Sequence, residues 1–185
     1  MILYHGTDVV IEQPSSHRGR RDVDFGVGFY TTEDRRMAQK WACNKVTSIV
    51  NEYEANLEGL AIKRFEADGE WLEYVIYNRT HDGKSPFADD KYDNIIGPPA
   101  DDKLFTTLDL YSDGVISKEQ TIEIINCMKY SNQVVFKNDN AVNKALRFKN
   151  AKELLGQEKQ IIYKQMIEDR KLASKRALEL IRERR

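Results

Sequence analysis

Two short segments near the N-terminus hold the residues best suited to chemistry: Leu3-Tyr4-His5-Gly6-Thr7, and Asp24-Phe25-Gly26-Val27-Gly28-Phe29-Tyr30-Thr31-Thr32. Each ends or follows an apolar β-type stretch, and each joins small residues to an imidazole or a phenol. Gly6 has no Cβ, so its backbone can come close to a flat ligand. His5 offers a hydrogen-bonding ring, and Tyr30 a face on which another ring can stack. Together they are equipment for gripping a nucleotide. Further on, Gln133 opens the apolar run Gln133-Val134-Val135-Phe136. Asp101-Asp102 sets two carboxylates before a predicted helix, where one could raise the pKa of the other or both could serve the helix N-terminus. Arg18, Arg20 and Arg21 crowd one loop. They suit a pyrophosphate or a nucleic-acid backbone, and equally a solvated charge cluster. Asp24-Phe25-Gly26 matches the metal-binding tripeptide of kinases, but no His-Arg-Asp catalytic loop accompanies it.

The order of these pieces resembles a known pattern. His-Gly-Thr followed by Phe-Gly-x-Gly-Phe-Tyr is similar to the first two motifs of the His-Tyr-[Glu/Gln] ADP-ribosyltransferases, the relatives of poly-ADP-ribose polymerase and diphtheria toxin. A closer resemblance is to an uncharacterised bacterial domain family of that superfamily. It is carried by Tyr4-His5-Gly6, Asp24 to Tyr30, Glu70-Trp71-Leu72, Asn78-Arg79, Asp93, Gly97-Pro98, Ala100-Asp101-Asp102 and Gln133, and covers residues 2 to about 148.

The resemblance implies a split β-sheet core and NAD as co-substrate. His5 would bond the adenosine ribose, the Gly6 backbone the nicotinamide amide, and Tyr30 would stack on the nicotinamide ring. The implied NAD-binding set is His5, Gly6, Thr7, Arg20, Asp24, Phe25, Gly26 and Tyr30. The implied catalytic set is Tyr30, Gln133, Asp101 and Asp102. Gln133 stands where chain-elongating relatives carry Glu. An amide can hydrogen-bond a ribose hydroxyl but carries no charge and cannot act as a general base. An acid would have to come from Asp24, Asp101 or Asp102, or the acceptor would have to be nucleophilic already.

The elements that must position these residues are short and mixed. Met1 to Tyr4 reads as a strand that delivers His5, and residues 14–23 read as a loop. A helix is predicted after Thr31-Thr32, its apolar face running from Met37 and Ala38 through Trp41, Ala42 and Val46 to Ile49 and Val50. Tyr53, Ala55 and Leu57 alternate as in a strand. Asp68 caps a predicted helix over 70–80 that buries Trp71, Leu72, Val75 and Ile76. Tyr92 to Ile96 is a strand stopped by Gly97-Pro98-Pro99, and a helix is predicted over 101–111. Ser117 with Gln120 forms a capping box for a helix carrying Ile122, Ile125 and Met128 inward. Gln133 to Phe136 is the last clear strand, followed by a short helix over 141–146. Strands and helices mix without βαβ regularity, so the fold class is α+β.

Composition fits this. The chain has 185 residues, 41% of them hydrophobic and 32% charged, which suits one folded domain with an appendage. No apolar run reaches bilayer-spanning length and no signal-peptide pattern opens the chain. Cys43 and Cys127 sit in helical patterns and suit reduced thiols in a cytoplasmic protein. With three histidines and no ligand spacing, no metal site is expected.

The division expected is a domain over 1–150 and a helical extension over 151–185. Residues 1–155 carry 20 basic and 25 acidic side chains; residues 156–185 carry 9 and 5. A continuous helix from 157 would be about 44 Å long. It could pack back, pair with a second copy, or dock a partner, and its basic excess permits nucleic acid or simple solvation. The function the resemblance implies is NAD-dependent mono-ADP-ribosyl transfer to a protein or nucleic-acid acceptor, as a toxin, effector or defence protein. The alternative is a non-catalytic module that binds NAD or ADP-ribose, or docks a partner through its terminal helix.

Overall fold

The computed structural model describes residues 1–81, 91–100, 107–126 and 131–183. Among these residues seven strands form one mixed sheet in the order β4-β5-β6-β2-β1-β3-β7: β1 (Ile2–Thr7), β2 (Phe29–Thr32), β3 (Ile49–Ala55), β4 (Ile62–Arg64), β5 (Asn94–Gly97), β6 (Gln133–Phe136) and β7 (Leu146–Glu153). β4 and β5 are parallel; the other neighbours are antiparallel. The helices are α1 (Arg35–Ala42), α2 (Gly69–Thr80), α3 (Thr107–Ser112), α4 (Lys118–Asn126), α5 (Asp139–Ala145) and α6 (Gly156–Glu183). The α+β class follows directly.

Strand alternation sends side chains to two faces. On one, Leu3, Phe29, Tyr53, Ile96, Val134 and Phe136 pack with Ala141, Val142 and Ala145 of α5. On the other, Ile95 and Val135 meet Phe25, Trp71, Leu72 and Val75, with Leu108 and Ile125 behind them. Beside that second cluster, Val50 packs on Ala38 and Ala42 of α1 and on Leu154.

Helix starts follow the sequence. Asp34 caps α1 through Arg36 N (2.8 Å), and Asp68 caps α2 through Trp71 N (3.0 Å). The Ser117 hydroxyl accepts from Gln120 N while Gln120 Oε1 accepts from Ser117 N, so the capping box is reciprocal. Met128 and Cys127 lie outside the described residues, as does 101–106 of the helix predicted over 101–111.

Three elements depart from the sequence reading. α1 ends at Ala42, and Ile49 and Val50 belong to β3. The Lys159 ammonium takes the carbonyls of Lys45 and Val46 just past this helix end, at 2.7 and 2.9 Å. β4 is a three-residue edge strand. β7 follows α5 directly and pairs with β3 along its whole length, with a bulge at Glu52/Tyr53, so the sheet runs past the boundary expected at 150.

The terminal helix packs back on the domain. Ile162 joins the cluster around Ala38 and Ala42, and the Cys43 thiol contacts Met166. Lys40 pairs with Asp169 at 2.6 Å, and Leu180 is buried with Ile116 and Ile124. Among the described residues no helix is long and apolar enough to cross a membrane.

Candidate functional site

The site grows from the junction of β1, β2 and β6. β1 and β2 share one registered pair, Tyr4↔Thr32, whereas β1 and β3 pair from Ile2 to Thr7. Next to the Tyr4↔Thr32 pair, the His5 side chain reaches across to β2. Its Nδ1 lies 2.6 Å from the Tyr30 carbonyl oxygen. A carbonyl can only accept, so Nδ1 carries the proton and neutral Nε2 presents a lone pair. Nε2 has no partner among the described residues. Burial holds the imidazole pKa below 6.5, opposed by that same hydrogen bond. The ring leans on Phe29, with centroids 4.7 Å apart.

Gly6 is fixed by a different neighbour than the sequence suggested. A Cβ there would lie 1.9 Å from the Ala38 carbonyl oxygen and 3.0 Å from Ala42 N. The missing side chain lets β1 lie directly against α1. Thr7 ends β1 with its hydroxyl donating to Asp8.

Tyr30 is half-buried, and its hydroxyl is fully used. It accepts from Phe25 N (2.9 Å) and donates to the Gly26 carbonyl (2.8 Å). Burial first, then the nearby Asp24 charge, pushes its pKa well above the ordinary 10, so the phenol stays protonated. It pins the turn Val23–Gly26, which closes through Gly26 N on Val23 O (3.0 Å). Gly26 has φ +65°, a conformation costly for residues with a Cβ. Lys137 donates to the Phe25 carbonyl and holds the turn from β6.

That turn buries Asp24, which is 5% exposed. Its Oδ1 takes Arg79 of α2, Nε at 2.8 Å and Nη2 at 2.6 Å. Its Oδ2 accepts from Ala100 N and from Gln133 Nε2, both at 2.8 Å. Arg79 also donates to the Ala100 carbonyl, and Asn78 donates to the Asp24 carbonyl (3.4 Å). Asp24 therefore acts as a hub within the protein and is not an acid waiting for a substrate. Gln133, also 5% exposed, spends an amide N–H on it, which leaves Oε1 as its acceptor toward anything else.

Gln133 pairs with Thr32, and Tyr30 with Val135, so Gln133 and Tyr30 share one face two positions apart. His5 alternates with Tyr4 and so belongs to the opposite face, reaching the junction through its bond to Tyr30 O. Phe25 is fully buried among Phe65, Tyr74 and Ile95 and works as core. Arg20 is exposed, as are Arg18 and Arg21. Their loop is anchored before them by Ser16 on Asp139 (2.7 and 2.8 Å) and after them by Asp24. Asp101 and Asp102 lie outside the described residues. An open groove of about 550 Å³ lined by Met1, Glu54, Lys144 and Arg147 contains none of these residues.

The residues that sequence reasoning left out of the site are Arg79, Ala100 and Lys137. A readable signal existed for the first: a carboxylate destined for burial needs a cation, and Arg79 lies on the predicted helix whose inner face was already assigned. A family model described as protein of unknown function (DUF3990) matches residues 1–148, so the chain belongs to that family. No curated protein and no solved structure matches it significantly.

Proposed function

We propose that this member of the DUF3990 family is an NAD-dependent mono-ADP-ribosyltransferase built on an ADP-ribosyltransferase-like split sheet. One observation supports this reading above the others: His5, Tyr30 and Gln133 come from three neighbouring strands beside the pair Tyr4↔Thr32 that joins β1 to β2, with Tyr30 and Gln133 on one face and His5 bonded to the Tyr30 carbonyl from the other. They are the three positions that the motif resemblance names, and they are up to 128 residues apart in sequence.

In the reaction, the bond between nicotinamide and ribose breaks, nicotinamide leaves with the electron pair, and the acceptor bonds to the ribose carbon as it loses a proton. The protein groups suit that chemistry. His5 Nε2 is an acceptor for a ribose hydroxyl, kept neutral by burial. Tyr30 offers a ring whose edge is clamped by two hydrogen bonds. Gln133 Oε1 is an acceptor whose amide is oriented by Asp24. Oriented groups of this kind contribute about 3–4 kcal/mol each in comparable sites. Because Asp24 is tied to Arg79, proton removal falls to the acceptor or to a group outside this network.

Gln133 specifically favours a second reading, a module that binds NAD or ADP-ribose without turnover. Incubation with adenine-labelled NAD in a lysate, followed by protease and nuclease digestion, separates the two. Transfer predicts label on a macromolecule with the unmutated protein and none with Gln133→Ala or Tyr30→Ala, each checked for folding. Thermal stabilisation by NAD with no label and no free nicotinamide would replace transferase with binder.

A further inference from the structure

Helix α6 sorts its charges. Its acids at Glu158 and Asp169 turn toward the domain, pairing with Lys152 (2.8 Å) and Lys40 (2.6 Å). Lys159 turns inward too, onto the carbonyls of Lys45 and Val46. Lys164, Lys171, Lys175 and Arg182 are exposed. None of the four has a hydrogen-bond or ion-pair partner among the described residues. At about 100° per residue they fall within a strip roughly 40° wide, on the side of the helix opposite Ile162, Met166 and Leu180. The strip spans about 27 Å at 1.5 Å per residue and has two acids, Glu168 and Glu179, along one side.

We infer that this basic strip is a docking surface for a nucleic acid. The argument is charge complementarity along a line. A row of exposed cations along one helix matches a linear polyanion, whose phosphates exchange condensed counterions for lysine and arginine. A membrane surface fits less well. An interfacial helix sinks an apolar face into lipid, whereas the apolar face of α6 is buried against the domain at Ile162, Met166 and Leu180. The exposed apolar residues Ile161, Tyr163, Leu172 and Leu178 are scattered to either side of the strip.

The test of this inference uses no NAD and so stands apart from the proposed transferase activity. Binding of the full chain to fluorescent oligonucleotides of about 20 residues, single- and double-stranded, is followed by anisotropy between 50 and 200 mM salt. Four phosphate contacts predict a slope of log K against log salt near −3 for single strands and −3.6 for duplex. Replacing all four residues with Gln should reduce affinity at least tenfold at 50 mM salt and flatten the slope toward zero. The circular dichroism spectrum and Tm should not change. Equal binding by the two proteins would overturn the inference, as would no binding to either oligonucleotide. Capture of anionic phosphatidylserine vesicles by the unmutated chain alone, without oligonucleotide binding, would reassign the strip to membranes.

Discussion

Replacing Gln133 with Glu would set a second carboxyl against Asp24, and this fold should resist it. The new carboxyl would face Asp24 Oδ2 across the 2.8 Å now spanned by an amide N–H. Two full charges at that distance repel by about 6 kcal/mol even at an effective dielectric constant of 20. The protein escapes part of this by keeping a proton on the pair, so the cost at pH 7 is bounded by proton uptake. From an unfolded-state glutamate pKa near 4.3, that bound is about 3.7 kcal/mol at 1.36 kcal/mol per unit. Arg79, already on Asp24, lowers it further.

The sign follows from linkage. The folded pKa of the new carboxyl is raised, so the unfolded state loses its proton first as pH rises, and the deficit grows from about pH 4.3 upward. Below that pH the protonated acid can donate to Asp24 as the amide does. Urea unfolding of both proteins from pH 4 to 8 should give a difference under about 1 kcal/mol at pH 4 and about 3 kcal/mol at pH 7. A difference that does not vary with pH, or a variant more stable at pH 8, would refute the Asp24–Gln133 contact.

Three further perturbations probe other links. Gly6→Ala drives a methyl into the Ala38 carbonyl, 1.9 Å away. It should cost about 3 kcal/mol or more, seen as a Tm roughly 6–12 °C lower for a chain of this size. A Tm within 2 °C of the parent would disprove the close β1–α1 approach. Arg79→Met strands the buried Asp24 carboxylate and should cost about 3–5 kcal/mol. Adding Asp24→Asn should recover a large part of it in a double-mutant cycle, whereas simple additivity would contradict the pairing. His5 has a folded pKa held below its unfolded 6.5. Stability should therefore fall as pH drops below about 6.5, by up to ~1.36 kcal/mol per unit until the folded pKa is reached. His5→Gln should lose that acid-side slope, measured by denaturant titration at pH 5 to 8.

Local signals in the sequence located much of this fold because they act within a few residues. Asp68 before Trp71 and Ser117 before Gln120 specify helix starts by hydrogen bonds that close within one turn. Ile49 and Val50 misled because they continue the three- and four-residue spacing of Met37 to Val46, while the turn between them is secured by Lys159, more than 100 residues away. β7 has two apolar side chains on one face, Leu146 and Phe148, too few for a period-two signal, and its place is set by pairing with β3. For the site, the motifs led to His5, Tyr30 and Gln133. The role of Asp24 was not legible, because its three partners come from α2, from the end of β5 and from β6, and burial of one carboxylate brings them together.

β7 carries a consequence for anyone shortening this chain. The family match ends at residue 148, inside a strand that runs to Glu153. Cutting there would remove five of the eight residues of β7 and uncover the outer edge of β3 from Ile49 to Glu52, with the β-branched Ile49 and Val50. In the intact protein the outermost strand on that side is β7, which carries Arg147, Lys149 and Lys152, charges of the kind that discourage a second molecule from adding a strand. A fragment stopped at 148 should therefore associate edge to edge even where its core survives, and a soluble piece has to keep β7 whole.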